Sequence, residues 1–199
     1  GKAGRGSFAY DEMGEPDELF RNEGGGRFVA VSWTDGTFLD EAGRPLAARL
    51  PDWGLSAAFR DLNGDGAPDL YVCNDFASPD RFWLNDGRGR FRAAPALALR
   101  QSCLSAMGAD FADVNRDGLV DFLVVDMLSP DHRRRFSQRP DMKSEAHPVG
   151  LIDNRPQYSR NMLYVNRGDG TWAELAQFAG LDATDWAWNP VFLDVDLDG

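Results

Sequence analysis

The sequence is poor in several features that define large classes of proteins. Only two of its 199 residues are cysteines, Cys73 and Cys103, which is too few for a disulfide scaffold, and the sequence leaves open whether they pair. No run approaches the roughly 18 apolar residues of a membrane-spanning helix. Basic residues are outnumbered 21 to 32 by acidic ones, and the net charge of −11 disfavours nucleic acid and anionic membranes as partners. Such an acidic chain suits a protein that collects cations.

Patterns typical of enzymes are also scarce. The chain has two histidines, His132 and His147, and it contains no Ser-His-Asp order, no nucleophile motif and no metal-ligand set around either histidine. Paired carboxylates are abundant, but the acidic loops described below account for the best of them. We therefore expect a protein that is not an enzyme. A polysaccharide lyase or hydrolase is the alternative.

Two short motifs alternate along the chain and define an internal repeat. The first motif is an acidic loop that begins at Asp61, Asp113 and Asp194. The second is a hairpin with an Asn-containing turn, present as LFRNEGGGRFVAV (19–31), FWLNDGRGRFRAA (82–94) and LYVNRGDGTWAEL (163–175). The first two loops start 52 positions apart, and the next interval is 81 positions. The repeat unit is therefore about 50 residues long, and the second unit carries an insertion near 128–157.

Each unit is predicted to contain four strands. Strand A ends at the acidic loop, strand B leaves it, strand C precedes the Asn-containing turn and strand D follows it, in short runs rich in Val, Phe, Tyr and Leu. The predicted strands are 56–60, 108–112 and 189–193 for A, 69–73 and 121–126 for B, 81–85 and 162–166 for C, and 90–94 and 171–175 for D. Four-stranded units at this period indicate an all-β fold, a β-propeller of antiparallel blades with calcium loops in the A–B turns.

The chain is expected to be one propeller segment, 1–199, that is truncated at both ends. A half blade is predicted at about 17–34, a first complete unit at about 55–98 and a second at about 105–177, and the next blade starts at 186–199. The chain lacks an initiator methionine and its last residues, DVDLDG, fall inside a motif. The lack of a visible signal peptide therefore says nothing about the compartment.

The acidic loops have the ligand types and spacing of a calcium site. Side chains at positions 1, 3 and 5 of a tight loop converge, position 7 adds a backbone carbonyl and Gly at position 6 permits the turn. In loop one the predicted ligands are Asp61, Asn63, Asp65, the carbonyl of Ala67 and Asp69. In loop two they are Asp113, Asn115, Asp117, the carbonyl of Leu119 and Asp121, and the third loop contributes Asp194, Asp196 and Asp198. The alternative is a hydrogen-bonded turn without metal.

The loops differ from an EF-hand at their exit. Position 12, which is Glu in an EF-hand, is Val72 in loop one and Val124 in loop two. The residues after loop one, DLYVC, favour a strand, and Pro68 stands just before them. Each loop is therefore predicted to join two strands and to be closed by Asp at position 9. A dockerin, which needs helices there, is excluded.

The loop pattern DxNxDGxxDL followed by an NxGxGxF hairpin resembles the FG-GAP/VCBS repeat, the propeller unit also used by integrin α-subunits. More narrowly, DLYVCNDFASPDRFWLNDGRGRF, SAMGADFADVNRDGLVDFLVVDMLSPDHRRR and NMLYVNRGDGTWAE resemble the cartilage acidic protein family, over about residues 17–199. Bacterial members of that family often carry an ASPIC/UnbV domain after the propeller, and none lies in this segment. The resemblance implies a secreted or surface calcium-binding propeller, often of unassigned function.

The insertion between strands B and C of the second unit is the one strongly basic segment. Residues 127–160 hold both histidines and seven of the 21 basic residues: Arg133, Arg134, Arg135, Arg139, Lys143, Arg155 and Arg160. One interpretation is a binding loop for an acidic ligand or partner. The other is that its arginines pair with neighbouring carboxylates while the loop packs over the propeller rim. In a four-stranded blade this segment lies on the face opposite the calcium loops.

The predicted function is a calcium-binding, non-enzymatic module for adhesion or for binding a protein or glycan ligand. We expect it to act in an extracellular, cell-surface or periplasmic location, where calcium affinities of about 10⁻⁴–10⁻³ M suffice. A structural spacer of a larger surface protein is a further alternative.

Overall fold

Runs rich in Val, Phe, Tyr and Leu form the strands, and glycine-containing turns separate them. The computed structural model describes residues 14–75, 78–138 and 155–196. The strands are β1 Phe20–Asn22, β2 Phe28–Ala30, β3 Phe38–Leu39, β4 Gly54–Arg60, β5 Asp69–Asn74, β6 Arg81–Asn85, β7 Phe91–Ala93, β8 Ser102–Cys103, β9 Gly108–Ala112, β10 Asp121–Val125, β11 Met127–Leu128, β12 Gln157–Tyr158, β13 Met162–Asn166, β14 Trp172–Glu174 and β15 Asp185–Trp186. The helices are α1 His132–Gln138 and α2 Ala176–Ala179.

Two sheets correspond to the two complete units. The first sheet has the order β3-β7-β6-β5-β4, and the second sheet has the order β14-β13-β10-β9. Neighbouring strands are antiparallel, except that β3 runs parallel to β7. Strands A to D are thus β4 to β7 in the first unit and β9, β10, β13 and β14 in the second. The earlier hairpin is the separate pair β1 and β2.

Alternation along β5 divides its side chains between two cores. Tyr71 and Cys73 point into a core that both sheets share, where the Tyr71 ring meets the edge of Phe122 at 5.0 Å between centroids. Leu70 and Val72 point to the other face of the first sheet and join a second apolar cluster. The two sheets therefore stack face to face, and each loop lies at the same end of its sheet.

The prediction for the strands of the complete units is confirmed, but that for 189–193 is wrong. This segment forms no strand, and among the described residues no other strand pairs with it. It lies beside β9, where the N–H of Phe192 donates to Asp110 Oδ2 at 2.6 Å and Asn189 packs against Gly108, but it does not pair with that strand. An extended segment needs a neighbour that satisfies its backbone groups before it becomes part of a sheet.

The structure is mostly β, as an all-β protein requires, and the helices are few. None of the helices in the described residues is long and apolar enough to cross a membrane. Cys73 and Cys103 are both buried free thiols.

Candidate metal loops

Loop one connects β4 to β5 and folds around the carboxylate of Asp61. Asp61 Oδ1 accepts the N–H groups of Gly64 (2.8 Å) and Asp65 (3.1 Å), and its Oδ2 accepts the N–H of Gly66 (2.8 Å). Gly64 and Gly66 have φ of 77° and 86°, a left-handed backbone that glycine adopts without strain. The two glycines therefore let three consecutive N–H groups point at one carboxylate.

The side chains of Asn63 and Asp65 turn toward the same loop. Asn63 Oδ1 accepts the N–H of Asp65 at 3.0 Å, and Asn63 Nδ2 donates to Asp65 Oδ2 at 2.8 Å. Asp65 Oδ1 accepts the N–H of Ala67 at 2.8 Å. The predicted ligands at positions 3 and 5 are therefore in direct contact, and both are tied to the backbone that Asp61 organises.

Loop two, between β9 and β10, repeats this arrangement. Asp113 accepts the N–H of Asp117 (3.0 Å) and of Gly118 (2.8 Å). Asn115 accepts the N–H of Asp117 at 3.1 Å and donates to its Oδ2 at 2.9 Å. Asp117 Oδ1 in turn accepts the N–H of Leu119 at 2.9 Å. Two loops of different sequence context thus fold in the same way.

Asp69, predicted to close loop one, is fully buried at the start of β5. Its Oδ2 accepts the N–H of Leu62 (3.0 Å) and its Oδ1 accepts that of Asn85 (2.8 Å). Burial raises the pKa of Asp69 to about 6, the two N–H groups oppose the rise, and the carboxylates of Asp65 and Asp61 add to it. The acidic groups of the loop therefore lie close enough to repel one another, and a bound cation would relieve that repulsion.

Asp121 occupies the same place in loop two. It is fully buried, its Oδ2 accepts the N–H of Val114 (3.1 Å) and its Oδ1 accepts that of Asn166 (2.7 Å). Burial raises the pKa of Asp121, the two N–H groups oppose the rise, and the carboxylates of Asp117 and Asp113 add to it. The electrostatics of the two loops therefore have the same origin.

The donor set fits Ca²⁺. Every predicted ligand is a carboxylate, amide or carbonyl oxygen. In loop one, Asp61 Oδ1 accepts two N–H groups, whereas Asp61 Oδ2 and the side-chain oxygens of Asn63 and Asp65 accept one hydrogen bond each and keep a second lone pair for a cation. Among the described residues, no three Cys, His, Asp or Glu side chains are arranged as a metal site by themselves. A calcium site in either loop would therefore need asparagine and backbone oxygens as well. In the third loop Asp194 and Asp196 are exposed, and Asp198 lies outside the described residues.

The hairpin asparagines anchor the loops, a role that the sequence analysis did not predict. The N–H of Asn85 donates to Asp69 Oδ1 (2.8 Å), its Nδ2 donates to the Pro68 carbonyl (2.9 Å), and its Oδ1 accepts the N–H of Gly87 (3.1 Å). Asn166 holds loop two through the corresponding bonds. One sequence signal could have indicated this role: all three hairpins have asparagine at the same position, although the turn residues that follow it vary.

A second repeated position lies five residues before each hairpin asparagine. Asp80 Oδ1 accepts the N–H of Asn74, the last residue of β5, at 3.0 Å. Asn161 Oδ1 accepts the N–H of Asp126, which directly follows β10, at 2.8 Å. Asp17 stands at this position before the first hairpin. The equal spacing of these three residues was visible in the sequence, and the burial of Asp80 and Asn161 was not.

The described arginines of the insertion divide into two groups. Arg160 forms a largely buried ion pair with Glu174, and Arg155 is buried with its Nη2 3.5 Å from the Ala94 carbonyl. Arg135 donates from Nε to a backbone carbonyl at 2.6 Å. These three side chains pack or pair as the second interpretation expects.

The other described basic residues of the insertion lie on the surface. His132, Arg133 and Arg134 are exposed on α1. The remaining members of the basic set lie outside the described residues; they are Arg139, Lys143 and His147.

The family comparison agrees with the loop pattern. Residues 61–124 match an FG-GAP-like repeat. The FG-GAP-like match covers less than half of the chain, but it includes both loops and strands B, C and D of the first unit. No curated protein matches the chain. The narrower resemblance to the cartilage acidic protein family stays a prediction.

Proposed function

We propose that the chain is part of a calcium-stabilised, non-enzymatic β-propeller that acts outside the cytoplasm as a module for adhesion or for binding a protein or glycan. The FG-GAP-like repeat suggests a propeller-type module for protein binding. One observation carries the calcium part of the proposal: the same inward-turned Asp-Asn-Asp arrangement, closed by a buried Asp, recurs in both loops.

The stacking of the two sheets supports a propeller. Phe111 of β9 packs on Phe122 at 5.4 Å and meets the edge of Tyr71 of the first sheet at 6.4 Å. Phe59 occupies the equivalent position of β4 and is exposed, as is Leu55 of the same strand. Exposed apolar groups on a strand of this kind suit a face that a further sheet covers. We propose that the described sheets are two blades of a larger array.

Calcium would serve stability in this propeller. In loop one Asp61, Asn63, Asp65, Asp69 and the Ala67 carbonyl would hold it, and the equivalent residues would do so in loop two. Bound calcium supplies two positive charges that neutralise the repelling carboxylates. The side chains of the loop already fix its backbone by hydrogen bonds, so the ion would add to an existing fold of the loop and lock the turn between strands A and B.

The ligand would bind on the end of the sheets opposite the loops. The insertion leaves strand B of the second unit there, and α1 presents the exposed cations Arg133 and Arg134. Long loops on a rigid scaffold commonly carry binding functions. An acidic protein segment or an anionic glycan is the ligand chemistry that these side chains suit.

Thermal unfolding of the full chain in EDTA, in millimolar Ca²⁺ and in millimolar Mg²⁺ tests the calcium sites. For a Kd of about 10⁻⁴ M, 1 mM Ca²⁺ is about ten times the Kd and adds about 1.4 kcal/mol of stability per site, which corresponds to a rise in Tm of roughly 3–6 °C per site for a domain of this size. We expect this rise with Ca²⁺ and little change with Mg²⁺. Equal Tm values in EDTA and in Ca²⁺ would reduce the loops to ordinary turns.

Single-site variants then locate the effect. Asp65→Ala and Asp117→Ala should each remove one site and reduce the calcium-dependent rise in Tm, because each deletes a ligand at position 5. Glu41→Ala is the matched control, since it removes one exposed negative charge outside the loops. A calcium response of both loop variants equal to that of the control would contradict the assignment of these ligands.

A further inference from the structure

Asn166 contacts both loops at once. It lies at the end of β13 and is nearly fully buried. Its N–H donates to Asp121 Oδ1 at 2.7 Å, and its Nδ2 lies 3.3 Å from the Val120 carbonyl, so it holds loop two. The same Nδ2 donates to the carbonyl of Leu62 in loop one at 3.0 Å, across 104 positions of sequence. One side-chain amide therefore joins the backbones of the two loops.

Leu62 is a sensitive point at which to hold loop one. It stands between the predicted ligands Asp61 and Asn63, and its side chain is buried in the core that the two sheets share. Its N–H donates to Asp69 Oδ2 at 3.0 Å, so the bond from Asn166 leaves both backbone groups of Leu62 bonded. Movement of Leu62 would displace the first and second ligands of loop one together.

We infer that Asn166 is a positioning residue that couples loop one to loop two. The contact itself rests on geometry alone, and its consequence for calcium rests on the proposed function. Ordering of Asp121 fixes Asn166 through the backbone N–H, and Asn166 fixes Leu62 through its amide. A loop that is already ordered loses less conformational entropy when it binds calcium. Calcium binding at either loop should therefore favour calcium binding at the other.

Asn85 is the natural comparison for Asn166. It makes the same three bonds within its own unit, to Asp69, to Pro68 and from Gly87. Among the described residues, its amide contacts no second loop. Removal of the Asn85 amide should therefore loosen loop one and leave loop two unchanged. Removal of the Asn166 amide should loosen both loops.

Amide hydrogen exchange in EDTA tests the coupling without metal. We expect Asn166→Ser to speed exchange of the N–H groups of Gly64, Asp65 and Gly66 by about fivefold or more, because a net hydrogen bond is lost at Leu62. Serine keeps an oxygen that can accept the N–H of Gly168. Asn85→Ser should leave exchange in loop two unchanged. Loop one exchange in Asn166→Ser within twofold of the parent would overturn the inference.

Calcium titration calorimetry provides the second readout. In an Asp117→Ala/Asp196→Ala background, only loop one keeps its full set of predicted ligands. Adding Asn166→Ser there should weaken the Kd of loop one by about fivefold or more. In an Asp65→Ala/Asp196→Ala background, Asn85→Ser should leave the Kd of loop two unchanged. An unchanged Kd in the first comparison would overturn the inference that Asn166 positions loop one.

The two readouts separate the two proposals. Absence of binding heat in both single-loop backgrounds would overturn the proposed function, and the exchange result in EDTA would still decide the coupling. Circular dichroism confirms that each variant is folded at the assay temperature. If Asn166→Ser is not folded at 25 °C, Asn166→Thr is measured at 10 °C, because its hydroxyl keeps an uncharged acceptor for the N–H of Gly168 and it lacks the amide donor that reaches Leu62 and Val120.

Discussion

Loop one and loop two share most of their internal hydrogen bonds and have different surroundings. In both, one Asp gathers consecutive N–H groups and a second, buried Asp ties the loop to a hairpin asparagine. The residue at position 2 differs sharply, because the side chain of Leu62 is 1% exposed and that of Val114 is 41% exposed. The second sheet covers loop one, and no other sheet of the described residues covers loop two. The shape of the loop is therefore local, and its anchorage comes from the adjacent unit.

Alanine at position 2 should expose this difference most strongly. Leu62→Ala removes a buried side chain from the core between the sheets and should cost about 2–5 kcal/mol of stability. Val114→Ala, the matched change in loop two, should stay within about 0.5 kcal/mol of the parent. Urea unfolding in EDTA measures both without any contribution from metal. Similar losses for the two variants would mean that the sheets do not anchor the loops differently.

The two units differ again at the position five residues before the hairpin asparagine. The first unit has Asp80, which accepts the hydroxyl of Tyr71 at 2.7 Å, whereas the second unit has Asn161. Asn161 Nδ2 donates to the Leu181 carbonyl at 2.8 Å and to Thr184 Oγ1 at 2.9 Å. In both units the side chain at this position accepts an N–H group from the end of strand B. Its remaining hydrogen bonds go to different neighbours in the two units.

Asn161→Asp should therefore be destabilising by about 1–3 kcal/mol, although aspartate is native at this position of the first unit. The change leaves a buried carboxylate oxygen facing the Leu181 carbonyl, where the amide donated a hydrogen bond. Urea unfolding at pH 7 measures the loss. At pH 4 the loss should shrink, because a protonated carboxyl can donate. Equal stability of variant and parent at pH 7 would contradict the assigned bonds.

Features that are set by local interactions could be predicted from the sequence. Asp61, Asn63 and Asp65 accept N–H groups no more than five positions away, so their spacing in the sequence is enough to predict their arrangement. The strands of the complete units follow from runs of β-favouring residues between turns. These features need no knowledge of the neighbouring unit.

Features that depend on a partner distant in sequence could not be predicted in this way. The bond from Asn166 to Leu62 spans 104 positions, and the two-residue strand β8 exists only because β12 runs beside it. The segment 189–193 shows the reverse case, since it has a strand-like composition and pairs with no strand of the described residues. Composition records a preference for a strand, and pairing decides whether one forms.

Asp17, which precedes the first hairpin, allows the smallest and most specific test of this repeated position. Burial raises its pKa, the carboxylate of Asp52 adds to the rise, and Arg81 opposes it. Above about pH 4, Asp17 therefore holds a proton more often in the folded protein than in the unfolded chain. The contribution of Asp17 to the stability of the folded protein consequently falls as the pH rises through the raised pKa. Asp17→Asn introduces the residue type that the second unit has at this position, Asn161, and removes this pH-dependent loss of stability. We expect the Tm of the variant, relative to the parent, to rise between pH 4 and pH 7.

Asp35→Asn is the control because the pH dependence of its effect on stability should have the opposite sign to that of Asp17→Asn. Asp35 is exposed, and its hydrogen bonds with Thr37, including the N–H at 3.0 Å, lower the pKa of the Asp35 carboxyl. The stabilisation that Asp35 provides is therefore present above its ordinary pKa and is lost as the pH falls through its lowered pKa. Relative to the parent, Asp35→Asn should consequently lose more stability at pH 7 than at pH 4. Parallel melts at the two pH values measure both differences. If the two variants shift in the same direction, the pH effect does not arise from the burial of Asp17, and the position would act through packing alone.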